Sequence, residues 1–427
     1  MTEQELKRDR SQRARAPRPT AIARHGRLPR SRAWKTVLGV IGSTLAVVLV
    51  ATGSVVGIWG YQLASELKGN AVEINDGTEA PIPEIGAYEG GFNILVVGSD
   101  ANYDRDSVLN DVNILVHVSA DQTNATVVSI PRDMVVPFPS CTDPETGRST
   151  SPATGLPINN ALSYGGLGCV VDVVENFTGV DITYAGMIGF DGVAAMASAV
   201  GGVDVCVAAP IHDEYVGLDL EVGTHHLEGY DALKFLRSRH GVGDGSDLTR
   251  ISSQQVFLSA LLRKLKSDET LTNVSTLMSL AKTAAKNMTL SSELTQPLTI
   301  VAMAKALNNI PMDRITFVQY PGSTGGTGIY AGKVQPKTYL ANQLFDAIRA
   351  DQPIGLDKAG DGRGSTSDPN ATPTPSDPAS SDPTPSASGS PDPGQTASGE
   401  PLPEKVVISG VNGQTAADQT CSVGFGG

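Results

Sequence analysis

Apolar residues along this chain fall into two regimes. From Thr36 to Tyr61 no Asp, Glu, Lys, Arg or His interrupts them, whereas beyond residue 90 they come in short bursts between Gly, Pro and polar clusters. The first regime predicts a helix about 39 Å long at the helical rise, enough to cross a hydrocarbon core with some tilt. No polar face breaks the run, which argues against a buried core helix. It is also longer than the apolar core of a cleaved signal peptide. Trp34 and Trp59 bracket it, as aromatic residues do at membrane interfaces. In the second regime Phe92–Val97 reads as a buried strand stopped by Gly98, Val112–Val118 as a second and Thr126–Ile130 as a third, close enough in sequence to be neighbours in one sheet. Tyr230, Leu233 and Leu236 predict a helix over Glu228–Leu236. Ile251, Leu258, Leu262 and Leu265 predict another from about Leu248, with Asp247 as its N-cap.

Charge orients the first helix. Residues 1–35 carry eleven Lys or Arg against three acidic residues, a net of +8, in a chain of −13 overall, leaving −21 for the rest. Basic flanks stay cytoplasmic, so the acidic bulk is expected outside a single-pass cell-membrane anchor, with the N-terminus in the cytoplasm. The expected organisation is a basic cytoplasmic arm (1–35), a transmembrane helix (36–61), a juxtamembrane linker (62–90) and a catalytic domain (91–357). A disordered Pro/Ser/Thr/Asp linker (358–403) and a C-terminal segment holding Cys421 (404–427) follow. An acidic chain lacks the basic footprint nucleic acid requires, and anionic membrane lipid is the expected contact of the arm.

Four cysteines, Cys141, Cys169, Cys206 and Cys421, lie on the outward side, none spaced as a zinc ligand pair. Cys141–Cys169 closes a loop of roughly thirty residues and is the favoured disulfide, leaving Cys206–Cys421 to tie the tail to the body. His117 falls inside an apolar strand and reads as core. His225 and His226 precede a helix with no serine and carboxylate at triad spacing, and His240 follows an Arg pair.

The polar residues at strand ends carry the chemistry. If the first two strands are antiparallel neighbours, Asp100 and Asp111 meet at one sheet edge, where two carboxylates either share a proton or hold a hard cation such as Mg²⁺. The alternative is that both cap turns. Arg237 and Arg239 share a face only in extended chain, so they converge on one anion only if the helix ends there, as Gly241, Gly243 and Gly245 suggest. Arg250 and Gln254, one turn apart near a helix N-terminus, complete an anion site.

In order along the chain, NILVVGSD, NDVNILVHV, VVSIPRD, INNALSYGG, VGGVDV and LEGYDALKFLRSRHGVGDGSDLTRISSQQ make the sequence resemble the LytR–CpsA–Psr family of cell-wall glycopolymer transferases. The resemblance covers Phe92 to Gln255 and extends toward Ala350. It implies a three-layer α/β/α fold with a central mixed sheet and an apolar pocket for a polyprenyl chain. It also implies Mg²⁺-dependent transfer of a phosphoglycan from a polyprenyl diphosphate carrier to peptidoglycan. By position it implies Asp100 and Asp111 as metal carboxylates, and Arg132, Arg237, Arg239 and Arg250 as diphosphate ligands. Asp247 and Gln254 become polar neighbours of that site, with Asp100 or Asp247 as general base. Two usually basic family positions differ: Leu109 stands before Asn110-Asp111, and Pro157 before Ile158-Asn159. Arg105 is a candidate substitute for a missing cation. A hydrolase acting on the same donor, and a non-catalytic wall or lipid-carrier binder, are the competing readings.

Overall fold

The computed structural model describes residues 33–69, 71–74, 88–100, 108–143, 146–267, 274–371 and 402–426. Most of the basic arm, Arg105 and the centre of the Pro/Ser/Thr stretch lie outside the described residues. Among the described residues the α-helices are α1 Ala33–Gly69, α2 Ala161–Thr178, α3 Phe190–Ala199, α4 Gly229–Arg237, α5 Asp247–Leu265, α6 Val274–Asn287, α7 Pro297–Asn309 and α8 Thr338–Arg349. The strands of the two larger sheets are β1 Ala71–Val72, β2 Phe92–Ser99, β3 Asn110–Val118, β4 Ala125–Ile130, β5 Tyr184–Ile188, β6 Val203–Val207, β7 Gly223–Leu227, β8 Met288–Ser291, β9 Ile315–Gln319, β10 Ser365–Ser367, β11 Gly413–Thr415 and β12 Thr420–Ser422.

Helix α1 contains the uncharged run and extends past both of its ends. Many of its side chains lie outside the described ones, and among the described residues no helix is long and apolar enough to cross a membrane. In the described part of the expected juxtamembrane linker, α1 continues to Gly69 and β1 pairs with β8. Once the chain leaves α1, extended pairing at a free sheet edge satisfies backbone groups that a bare linker would expose.

An eight-stranded sheet in the order β1-β8-β5-β2-β3-β4-β9-β11 forms the centre. It is mixed, as the resemblance implies: β5/β2 and β4/β9 are parallel, while β2/β3 and β3/β4 are antiparallel. Both faces are covered, which explains why its strands read as near-continuous apolar runs. Leu95, Val97, Leu115 and Val128 pack with α2 and α8 through Val170, Val174, Leu344 and Ile348. On the other face Phe92, Val127 and Phe317 join Leu258, Ala285 and Met303 from α5, α6 and α7. This is an α/β/α sandwich.

A second sheet, β7-β6-β12-β10, is assembled from distant parts of the chain. Here the expected boundaries need correction. The linker does not begin at Lys358, because β10 pairs with β12. Both lie in a folded body that includes the C-terminal segment, where β11 also closes the main sheet against β9. Both disulfides form as expected, Cys141–Cys169 and Cys206–Cys421. The second joins adjacent parallel strands. His117 is buried, bonded to Asn93 Oδ1 at 2.9 Å with Asp351 at 3.2 Å. His225 and His226 lie within strand β7, His226 Nδ1 at 2.7 Å from Asp204 Oδ1.

Candidate active site

The site grows from strand register. Strands β2 and β3 pair from Phe92↔Val118 to Ser99↔Asn110, with an irregularity at Gly98/Ser99. Asp100 therefore leaves β2 where β3 begins, and its Oδ1 accepts the Leu109 N–H at 2.7 Å. Asp111 is inside β3, which starts at Asn110, two residues earlier than the pattern suggested. Strand β4 ends at Ile130, opposite Asn113, which delivers Pro131-Arg132-Asp133 to the same edge. There Arg132 Nη1 donates to Asp111 Oδ1 at 2.8 Å. Asn110, where the family resemblance places a neighbour of an arginine, is fully buried instead. It donates to Ile158 O and accepts from Leu162 N–H, so it fixes the loop holding Pro157.

Helix α4 ends at Arg237, and Ser238 is extended (ψ 125°). This is the break the converging-arginine reading required. Arg237 lies over the Phe190 ring, 4.2 Å from its centroid, a cation–π contact that holds the guanidinium without neutralising it. Arg239 donates through Nε to Gly245 O at 3.0 Å, and its Nη1 is 3.3 Å from Asp133. Arg250 reaches from α5 to the Asp111 carbonyl at 2.9 Å. Gln254 donates to Leu236 O at 2.8 Å. It ties α4 to α5 and lines an apolar cavity, not the polar ones.

Asp247 is not the N-cap. Ser246 is, its hydroxyl accepting the Thr249 N–H, while Asp247 is the first helical residue and 1% exposed. Its Oδ1 lies 2.7 Å from Arg250 Nη2 and 3.7 Å from Arg132 Nε. A side chain drawn toward guanidiniums cannot also fold back to cap, and the neighbouring serine takes that role. Burial pushes the Arg250 pKa down, against the pull of Asp247. For Arg132 burial acts the same way, but Asp111 and Asp247 outweigh it and raise its pKa.

Asp213, Asp133, Phe190 and Tyr215 were not singled out by the sequence. Asp213 lies in the short strand Ile211–Asp213, and its Oδ2 accepts the Ser238 hydroxyl and the N–H groups of Arg239, His240 and Gly241 at 2.8–3.1 Å. Burial disfavours this charge, yet the hydroxyl and backbone donors prevail and hold the carboxyl below its ordinary range. Its stabilisation is therefore complete above the unfolded-state value, about 3.9, and is lost as pH falls through the lower folded value. Asp213→Asn should cost about 1–3 kcal/mol at neutral pH. In thermal melts against pH, the gap from wild type should narrow below about pH 4; a constant gap would count against this role.

Three cavities meet here. A polar one of about 320 Å³ is lined by Asp100, Leu109, Asp111, Arg132, Asp133, Asn159, Phe190 and Arg237. A second, about 160 Å³, runs past Arg239 and Arg250 to Asp213, Tyr215 and His240. The third, about 420 Å³, lies between the sheet and α3, α4 and α5, walled by Val96, Ile114, Val193, Ala197, Leu233, Phe257 and Leu261 among others. Asp247 lines none of them.

The profile of the LytR_cpsA_psr family matches residues 60–346. Cell wall biosynthesis protein LcpA of Corynebacterium glutamicum is 27% identical over 69% of this chain and 62% of its own length. The chain thus spans about three fifths of LcpA. The polyisoprenyl-teichoic acid–peptidoglycan teichoic acid transferase TagT of Bacillus subtilis is 25% identical over 70% of this chain and 90% of its own. Among solved structures, protein gbs0355 of Streptococcus agalactiae aligns with a TM-score of 0.50 at 22% identity, covering 61% of this chain and 88% of that one. At that identity the likeness concerns the fold.

Proposed function

This chain belongs to the LytR–CpsA–Psr family, and on that premise we propose that it is an enzyme moving a phosphoglycan from a polyprenyl diphosphate carrier onto peptidoglycan. One observation carries the reading: the apolar cavity counts Asp111, Arg237 and Arg250 in its lining and shares them with the polar cavities. A pocket that is greasy over most of its wall and charged where it meets the polar cavities suits an amphiphile with an anionic head. The relatives' names fit such a substrate, TagT being named for a polyisoprenyl-linked teichoic acid. The run from Thr36 to Tyr61 would hold the enzyme at the membrane where the carrier resides, with the body outside; residue pattern and charge support that topology.

Phosphoryl transfer asks the protein for placement and charge cancellation. Arg132, Arg237, Arg239 and Arg250 hold the diphosphate oxygens, Arg237 from the junction of all three cavities. The acceptor hydroxyl gives its proton to a carboxylate, and its oxygen bonds to the phosphorus that carries the glycan. The bond from that phosphorus to the bridging oxygen breaks, and polyprenyl phosphate leaves with the electron pair. Of the two candidate bases, Asp100 lines a cavity and Asp247 does not. We assign Asp247 to positioning Arg132 and Arg250.

Asp100 and Asp111 also fit a hard cation, because they are oxygen donors lining one cavity and Mg²⁺ takes few carboxylates plus phosphate oxygens. A bound Mg²⁺ would neutralise charge on the diphosphate. Among the described residues the three-membered cluster of possible ligands is Cys206, Asp368 and Cys421, whose sulfurs are spent in a disulfide.

Radiolabelled polyprenyl diphosphate–glycan, incubated with peptidoglycan fragments and Mg²⁺, should pass its label to peptidoglycan, and chelation should stop it. Label released as free phosphoglycan despite acceptor would indicate the hydrolase, and intact donor the non-catalytic binder. Val193→Trp, which fills the apolar cavity, should raise KM for long-chain donors by about tenfold, equivalent to losing roughly 55 Å² of apolar contact. A short-chain donor should be unaffected; equal effects on both would place the chain elsewhere.

A further inference from the structure

A transfer between two glycans needs three arms at one phosphorus, and three cavities share Asp111 and Arg237. The lipid and the diphosphate account for the apolar cavity and its charged mouth. They leave the far wall of the smallest cavity unexplained. That wall is Tyr215, Val216 and His240.

Tyr215 is 82% exposed, so it contributes little to the core, and its ring lies 4.4 Å from His240 at 37°. Its placement is nonetheless fixed. Tyr215 sits in the turn between the paired strands Ile211–Asp213 and Leu218–Leu220, and its N–H donates to Asp213 Oδ1 at 3.1 Å. The other oxygen of Asp213 collects the backbone of Arg239, His240 and Gly241. One buried carboxylate thus locks an aromatic platform to the loop carrying Arg239. A phenol ring stacked at a tilt against an imidazole leaves its outer face apolar with polar edges. That combination matches a pyranose ring, with C–H groups on one face and hydroxyls around its rim.

We propose that the Tyr215–His240 arm is a sugar subsite, holding the pyranose ring next to the reacting phosphorus. The proposal rests on the transferase reading and names which arm takes a sugar. Either the first sugar of the donor or the acceptor sugar of peptidoglycan has this chemistry, and steady-state kinetics separate them. With the full chain, donor is varied at saturating acceptor and acceptor at saturating donor, for wild type, Tyr215→Ala and Tyr215→Phe. Tyr215→Ala should raise KM about tenfold for one of the two substrates, identifying the occupant, with kcat changed less than threefold. Tyr215→Phe should stay near wild type because it retains the ring. Wild-type KM values for both substrates in the Ala variant would overturn the subsite.

Calorimetric titration with two soluble probes, a muropeptide disaccharide and UDP-N-acetylglucosamine, reads the subsite without turnover. Binding of either that is lost in Tyr215→Ala and kept in Tyr215→Phe supports the subsite even if no transfer is found, in which case the transferase reading alone fails. Equal binding of each probe to all three proteins, or binding of neither, counts against the subsite.

Discussion

Arg239→Ala is expected to lower transfer about 10²–10³-fold, the loss typical of removing one donor aimed at developing charge, while leaving the fold in place. Three observations set this apart from changes at the other arginines. Arg239 is partly exposed, its partners are one carboxylate at 3.3 Å and one carbonyl, and the backbone around it is held independently by Asp213. Its removal should therefore cost no more than about 1 kcal/mol of stability. Arg250 differs: it is buried against the buried Asp247. Arg250→Ala would leave that carboxylate without its nearest cation and should cost about 3–5 kcal/mol, confounding any activity loss. Arg239→Lys keeps the charge but not the planar fork, so it should recover only part of the rate. The measurement is kcat with labelled donor beside a thermal melt. An Arg239→Ala protein with wild-type kcat would remove this residue from the diphosphate site, and one that fails to fold would show that its contacts are structural.

Much of the site was legible because it depends on local register. Asp100 and Asp111 line one cavity because two adjacent antiparallel strands set the end of β2 beside the start of β3, an arrangement that alternation and short spacing already imply. Arg237 and Arg239 line one cavity because the helix ends at Arg237, ahead of the glycine-rich stretch that marks the break in the sequence. Less was legible where one residue serves several distant segments. Asp213 stands in Ile211-His212-Asp213, which looks like a surface strand end, and only tertiary structure brings Ser238 to Gly241 onto it. At Gly245-Ser246-Asp247 both Ser and Asp are good caps, and the choice is made by Arg250 and Arg132, one from a different strand end. The cysteines point to a tie between tail and body, but the tail's strands pair with residues up to 215 positions away. No local pattern announces such pairing.

The second large effect is expected from freeing that tail. Beyond β12 the chain runs alongside the loop that holds Arg239: Gly243 N–H donates to Val423 O, Phe425 N–H to Gly241 O and Gly426 N–H to Gly243 O, at 2.9–3.2 Å. Gly424 fits because it lacks a side chain, as a Cβ there would lie 1.7 Å from Pro210 O. Ser422 adds a buried hydroxyl contact to Ser253 of α5 at 2.6 Å. The Cys206–Cys421 bond fastens this edge at its base. Replacing both cysteines by serine should cost about 2–5 kcal/mol. It should also reduce kcat more than the folded fraction explains, since Arg239 loses one wall of its support while Asp213 keeps the other. Gly424→Ala should weaken the same contacts with the disulfide intact, which separates loop support from covalent tethering. Both variants are assayed well below their melting temperatures, with the melt recorded for each. If folded protein of either variant transfers at the wild-type rate, the tail is a stability device alone; if kcat falls in both, the C-terminal segment belongs to the phosphate-binding loop in function as well as in space.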